Sequence, residues 1–445
     1  MVKPAVREAT DPRRSEKEGR MSSSDAHSWP VDASGFAYVV GIDMGSQASV
    51  YSVLQPDKRP VSKPTELAKS RVGFEQLHGC LRQLAVPPQR VLIGLEATSR
   101  YSENLYQFLK EQGYALCLLH PRQTHQFAQQ RGLRAKTDRL DATTMARLLL
   151  SGEARRGYVP DELIATYREL ERLHSQLTDD SARYQNEIQA LLVVLFPELV
   201  QVFADPCRPT ALGVLKRYPS AQAIVAAGVE ALTTTLRELA PRHYGRPTAQ
   251  ELVRLASQSA ASGLATPARA LSLRVLCDQL EHTLANLAQV AQELDQLLDR
   301  DQGAAGLKST PEFGRKTVAV LRAELGDVTR FQRVDQVVAY VGLDLQVRQS
   351  GQWKGQVKLS KRGSGRVRRV LYMAALRCIC LPASAFGAYY RRLVARGMKG
   401  RRALMAVMRK MLIVAYHLLR SQQTYDPTKV CALACTPART PSSGS

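Results

Sequence analysis

Apolar and polar positions change period along the chain. Over 36–54 (FAYVVGIDMGSQASVYSVL) two apolar, β-branched runs flank a small polar stretch, which predicts two strands around a tight turn at Met44–Gln47. Residues 65–84 predict a helix, and VLIGLEA at 91–97 a short buried strand. An amphipathic helix over 102–113 and a strand over 115–121, ended by Pro121, come next. Helices at about 122–131 and 139–151 complete this part. Such alternation of strands and helices describes an α/β domain.

From residue 161 the pattern turns helical. Segments 161–200 and 267–300 place apolar residues at helical spacing among charges, predicting two long amphipathic helices. Helices of this kind pack on each other or on a partner copy. A coiled-coil dimer element would make the chain a homo-oligomer, dimer or tetramer; an intrachain pair is the alternative. Between them, 201–266 reads as shorter helices with Pro and Gly breaks. Residues 308–343 read as helix–turn–helix–turn–helix, a helix-hairpin-helix-like segment. A strand-like QWKGQVKL follows at 352–359, then helices at 365–381 and 385–422.

The resulting division is a disordered leader over 1–35, with Met21 as a second candidate start, and an α/β domain over 36–155. A helical coiled-coil region spans 160–300, with 201–266 as an insertion. A mainly α, basic domain spans 305–425, and a disordered tail covers 426–445. No apolar run approaches the roughly 18 residues that span a bilayer, and the first 35 residues hold no apolar signal core. The eight cysteines form no CxxC pair, which argues for reduced thiols in a cytoplasmic protein.

Charge changes the picture. The net charge is +22, yet Gln346–Tyr425 contains no Asp or Glu and 18 of the Lys and Arg residues. The remainder is close to neutral. A solvated face normally mixes signs, so an acid-free basic segment points to a polyanion, either nucleic acid or a membrane surface. The apolar residues interleaved here read as core and no lipidation motif is present, which favours nucleic acid. KRGSGRVRR at 361–369 packs five cations (Lys361, Arg362, Arg366, Arg368, Arg369) into nine residues. It reads as a phosphate-tracking loop or helix start, or as a solvated face. Arg348 and Lys354 lie close by in sequence.

Four carboxylates form the candidate chemistry. Asp43 ends the first strand in GIDMG, Glu96 ends a central strand in IGLEA, and Asp138 and Asp141 open a helix in KTDRLDA. Strand ends at one sheet edge can converge, and an i,i+3 pair shares one helical face. Converging carboxylates suit a hard cation such as Mg²⁺ (or Mn²⁺), which takes few protein oxygens and keeps waters and phosphates. Two such ions about 4 Å apart stabilise the attacking and leaving oxygens of phosphodiester cleavage. Taken singly, each residue also reads as a turn or cap, Asp138 as an N-cap in particular.

GIDMGSQASVYSVL, GLEATSRYSENLYQFLKEQGY and above all HPRQTHQFAQQRGLRAKTDRLDATTMARLL resemble the DEDD-type transposases of bacterial insertion sequences, the insertion-sequence 110 family. The resemblance implies a RuvC-like N-terminal domain with an RNase H fold and a metal-binding tetrad of Asp43, Glu96, Asp138 and Asp141. TPEFGRKTVAVLRAELGDVTRFQRVDQVVAYVGLDLQVRQSGQWKGQVKLSKRGSGRVRRVLYMAA is similar to the C-terminal transposase domain of the same family. There it implies that Ser350, in RQSGQ, is the nucleophile on a DNA phosphate; a Ser-Gly pair otherwise reads as a turn. Ser360 and Ser364 are its rivals. Pro311-Glu312-Phe313-Gly314 departs from the family's G-x-G hairpin, which weakens a backbone phosphate contact there. The resemblance further implies double-stranded DNA at element ends and target as substrate, and a structured guide RNA encoded beside the gene. A related DNA invertase of Piv type, a non-catalytic nucleic-acid-binding protein and a RuvC-type nuclease are the alternatives.

Overall fold

The structure is a computed structural model that describes residues 31–45, 49–96, 102–132, 138–264, 266–346, 349–350, 353–354 and 358–432. At positions 138, 346, 349–350, 353–354, 358 and 431–432 it describes backbone only. Most of the expected leader, the tail beyond 432 and the turn residues Ser46 and Gln47 lie outside these. The chain divides into two compact units, one ending at Val159 and one beginning at Pro160.

The first unit is α/β. Its strands are β1 (Tyr38–Met44), β2 (Ser49–Leu54) and β3 (Thr65–Leu67), followed by helix α1 (Arg71–Arg82). Then come β4 (Val91–Glu96), α2 (Glu103–Glu111), β5 (Ala115–Leu119), α3 (Pro121–Gln130) and α4 (Asp138–Leu150). Among the described residues the sheet has five strands in the order β3-β2-β1-β4-β5. The first three are antiparallel, while β4 and β5 run parallel to β1. One face buries Val40, Ile42, Ile93 and Leu95 against Phe74, Leu77 and Leu81 of α1 and Leu105 and Phe108 of α2. The other sets Val39, Leu92, Cys117 and Leu119 against Phe127 of α3 and Met145, Ala146 and Leu149 of α4. Burial on both faces is why the central strands read as near-continuous apolar runs.

Two expectations change here. The helix predicted over 65–84 begins only at Arg71, where the Ser70 side chain accepts the Gly73 N–H; Thr65–Leu67 is drawn into the sheet by pairing with β2. The end of the expected leader is packed rather than disordered. Val31 and Ala33 are core residues, and the Val31 N–H donates to the Ala154 carbonyl at 2.9 Å.

The second unit is mostly helical. Helix α5 (Glu162–Leu195) starts from Asp161, whose carboxylate accepts the Ile164 N–H at 2.8 Å. Shorter helices α6 (Pro209–Arg217), α7 (Ala221–Leu239) and α8 (Arg246–Ser257) lead to α9 (Thr266–Arg300). The long helices α5 and α9 pack on each other within the chain, with Ile188, Leu192 and Leu195 facing a core shared with Leu273, Cys277 and Leu280. Next come α10 (Ala305–Lys308), α11 (Arg315–Leu325) and α12 (Val334–Val341). Short strands β6 (Leu345–Gln346), β7 (Gln349–Ser350), β8 (Trp353–Lys354) and β9 (Lys358–Leu359) precede α13 (Gly365–Ile379). The last helices are α14 (Ala385–Ala395), α15 (Gly400–Ser421) and α16 (Pro427–Ala432).

The single helix predicted over 385–422 is thus two, broken where Gly397 takes a left-handed φ of 86°. Part of the expected tail, Pro427–Ala432, is helical. Helix α11 packs against both α5 and α13, so the long helices and the basic segment share one unit.

Candidate active site

Strands β1 and β4 are parallel neighbours with Ile42 opposite Leu95. The next residues, Asp43 and Glu96, therefore sit level at the C-terminal end of the sheet. Side chains alternate along a strand, and the two glycines at the preceding alternate positions identify the face. A Cβ at Gly94 would stand 2.6 Å from Leu149 Cδ1, and one at Gly41 would strike Ala142 and Ala146. Asp43 and Glu96 accordingly lie on the face that α4 covers, and both are half-buried.

Helix α4 supplies the other two carboxylates. Ala142, Met145, Ala146 and Leu149 form its buried stripe, and Asp138 and Asp141 occupy the helical positions that continue this stripe to its start. Asp141 is half-buried; the side chain of Asp138 lies outside the described residues. The helix is tied to the sheet by the Thr143 hydroxyl, which donates to Ser52 Oγ at 3.2 Å. Lys69, which the sequence reading missed, donates to the carbonyl of Gly45, two residues past Asp43. Among the described residues no three His, Cys, Asp or Glu side chains gather closely enough to hold one metal ion. Asp43 and Glu96 at one sheet edge, and Asp141 on the helix that covers that face, are nonetheless hard oxygen donors, the donor chemistry that suits Mg²⁺.

Ser350 belongs to the second unit. It is the register partner of Trp353, inside the outer pairing of Leu345 with Leu359 and Gln346 with Lys358. Its side chain, that of Lys354 and all of Arg348 lie outside the described residues. The rivals have other partners. Ser364 caps α13, its Oγ accepting the Val367 N–H at 3.3 Å, and the Ser360 hydroxyl donates to the Asp344 carboxylate.

The basic cluster is split by its contacts. Lys361 and Arg362 are exposed. Arg366 reaches Glu171 at 3.5 Å and Glu324 at 3.7 Å, and Arg369 pairs with Asp179 at 2.9 Å. Arg368 Nη1 donates to the carbonyls of Val341 (2.7 Å) and Gly363 (2.9 Å). Three of the five cations therefore have partners within the unit: Arg366 and Arg368 hold α13 against α5, α11 and the end of α12, and Arg369 forms an exposed pair with α5. Burial pushes the Glu171 carboxyl upward in pKa, opposed by the Ser175 hydroxyl and by Arg366; partial desolvation pushes the Lys316 ammonium downward, with Arg369 adding to it. Glu312 also turns inward: its carboxylate accepts the Ser384 hydroxyl at 2.8 Å, and its carbonyl accepts from Arg377. No local sequence signal marks Glu171, Asp179, Glu324 or Asp344.

Comparison with known families gives two matches. A profile described as "Transposase", for DEDD transposases of the IS110 type, matches residues 40–197 and spans all four carboxylates. A second, described as "Transposase IS116/IS110/IS902 family", matches residues 304–391, which include Ser350 and the basic cluster. The chain belongs to the IS110 family of DEDD transposases. Among its relatives is the "Insertion element IS110 uncharacterized 43.6 kDa protein" of Streptomyces coelicolor, 28% identical over 307 residues, covering 66% of this chain and 72% of that protein. The corresponding IS116 protein of Streptomyces clavuligerus is 24% identical over 299 residues, covering 66% and 73%. The "Pilin gene-inverting protein" of Moraxella bovis is 26% identical over 154 residues, covering 34% of this chain and 48% of that protein. For an IS110-family chain, no helix among the described residues is long and apolar enough to cross a membrane.

Proposed function

We propose that this chain is a transposase that cuts and rejoins the DNA of its own insertion element. The observation that carries this reading is the level placement of Asp43 and Glu96 on adjacent parallel strands, under a helix with Asp141 in its first turn. The strand order supports a RuvC-like, RNase H-type domain. Asp43, Glu96, Asp138 and Asp141 would hold divalent Mg²⁺ or Mn²⁺. Such ions, when bound, offset the charge that builds on a phosphate during cleavage.

The chain's own residues do the remaining work. The carboxylates orient the scissile phosphate's surroundings and keep hard oxygen ligands at one edge. Ser350 Oγ attacks the phosphorus, an Oγ–P bond forms, and the P–O ester bond to the departing strand breaks. The serine proton passes to solvent or a nearby base, and the departing oxygen takes up a proton. A second attack by a DNA hydroxyl reverses the sequence and releases the serine. The exposed Lys361 and Arg362, with Arg348 and Lys354, would neutralise DNA phosphates. A structured guide RNA and a homo-oligomer, dimer or tetramer joined through the long helices, complete the proposed complex.

A denaturing gel tests this. The protein, expressed from its native locus so that adjacent RNA co-purifies, is mixed with labelled element-junction DNA and Mg²⁺. Label migrating with wild type and absent from Ser350→Ala supports a serine-linked transposase. Cleavage without an adduct in either sample would leave a metal-dependent nuclease. The similarity to a pilin gene-inverting protein favours a second reading, a DNA invertase. Inverted sites flanking a fixed chromosomal segment, in place of element ends, would establish it.

A further inference from the structure

We infer that Asp344 and Ser360 are positioning residues, which lock the base of the β6–β9 ladder from which the Ser350 strand pair extends, so that the serine is presented in one orientation. This inference rests on the reading of Ser350 as nucleophile. The ladder Leu345–Leu359 and Gln346–Lys358 is closed below by Asp344 and Ser360. The Ser360 N–H donates to the Asp344 carbonyl at 3.0 Å, and the Ser360 hydroxyl donates to the Asp344 carboxylate. That hydroxyl oxygen also faces the Arg362 N–H at 3.5 Å. Both residues are half-buried. A backbone pairing between two extended segments leaves torsional freedom at its open end; a second, charge-assisted bond across the same residue pair removes it.

The surroundings are built to hold this pair still. Immediately below, the Lys361 N–H donates to the Gly342 carbonyl at 3.2 Å. Lys361 itself takes a left-handed φ of 53° and Gly342 one of 75°, conformations that turn the chain sharply at both ends of the clamp. Gly363 lies so close to the end of α12 that an added Cβ would stand 2.0 Å from the Tyr340 carbonyl oxygen. Arg368 spans the junction by donating to Val341 and Gly363. The clamp therefore joins the end of α12 to the start of α13 at the base of the β6–β9 ladder. A nucleophile must be held near its productive geometry, and a misplacement of about 1 Å can cost on the order of 10²-fold in rate.

The test uses the full chain, labelled element-junction DNA and Mg²⁺, with the adduct peptide identified by mass spectrometry. Ser360→Ala and Asp344→Ala should each slow adduct formation at saturating DNA on the order of 10²-fold, with DNA affinity unchanged. Ser360→Thr, which keeps the hydroxyl, should restore the rate, and the adduct should stay on Ser350. The double variant should be no worse than either single one, because both remove one shared contact. Unaltered adduct rates in both single variants would overturn the inference. So would an adduct mapped to position 360, which would make Ser360 itself the nucleophile. A second measurement needs no DNA. In a Trp29→Phe background Trp353 is the sole tryptophan, and its fluorescence anisotropy should fall in Ser360→Ala and Asp344→Ala and recover in Ser360→Thr. That result supports the clamp even if wild type forms no adduct, in which case the Ser350 reading alone fails; an anisotropy indifferent to all three variants would reject the clamp.

Discussion

Gly41 of β1 lies against Ala142 of α4 with no room for a side chain: a Cβ added at Gly41 would stand 2.1 Å from the Ala142 carbonyl oxygen and 2.6 Å from the Ala146 nitrogen. This close approach sets how near α4, which carries Asp141, lies to β1, which carries Asp43. Gly41→Ala should therefore push α4 outward and destabilise the α/β unit by about 1–3 kcal/mol, the usual cost of overpacking. Cleavage should fall further than DNA binding. Urea unfolding monitored alongside a cleavage assay checks both, and an unshifted midpoint would show that α4 yields freely.

Asp141→Asn keeps the side-chain shape and removes the charge. DNA binding should persist while Mg²⁺-dependent cleavage is lost, and Glu96→Gln should behave alike. Gel-shift and cleavage measurements on the same preparations separate the two effects. Cleavage that survives Asp141→Asn would take Asp141 out of the site.

The contacts of the basic cluster predict a graded response. Lys361→Glu with Arg362→Glu should weaken nucleic-acid binding and flatten its salt dependence, since each lost phosphate contact lowers the slope. Arg369→Ala removes an exposed pair with Asp179, a contact that contributes little in solution, so melting should barely change. Arg368→Ala instead leaves two carbonyls without their donor and should cost about 1–3 kcal/mol. Salt titrations of binding and thermal melts distinguish the cases; equal salt slopes for wild type and the Lys361/Arg362 variant would make these residues a solvated face.

Glu171 predicts a pH dependence. Burial raises its folded pKa above the ordinary 4.5, so the folded state keeps a proton that the unfolded state has released. Its contribution to stability is then greatest below 4.5 and falls as pH rises through the raised value. Glu171→Gln removes the titration. Its stability relative to wild type should increase across that window and then level off. Urea midpoints of the two proteins measured from about pH 4.5 to neutrality should diverge in that direction; parallel curves would mean that Arg366 holds the carboxylate ionised throughout.

Elements set by local periodicity were legible in the sequence. The runs that became β1, β2 and β4 have the β-branched, buried character of central strands, β5 is a short apolar run, and 162–195 and 266–300 carry their helical stripe openly. The carboxylates could be read as candidates because Asp43 and Glu96 end apolar runs. Which surface each element meets is a different matter. Thr65–Leu67 became a strand because an open edge of β2 accepted it, and 385–422 became two helices because Gly397 allowed the chain to turn back. Arg369 found Asp179, 190 positions earlier, and Glu312 turned inward to Ser384.

By itself, then, the amino-acid order determined the α/β beginning, the long helices, the acid-free basic segment and the family to which the chain belongs, since propensity, period and charge act over a few residues. Only the tertiary structure decided that Asp43 and Glu96 stand level on one covered face, that Arg366 and Arg368 serve the fold, and that Asp344 meets Ser360. Register and long-range ion pairs arise where distant surfaces come into contact, and no short stretch of sequence contains both partners.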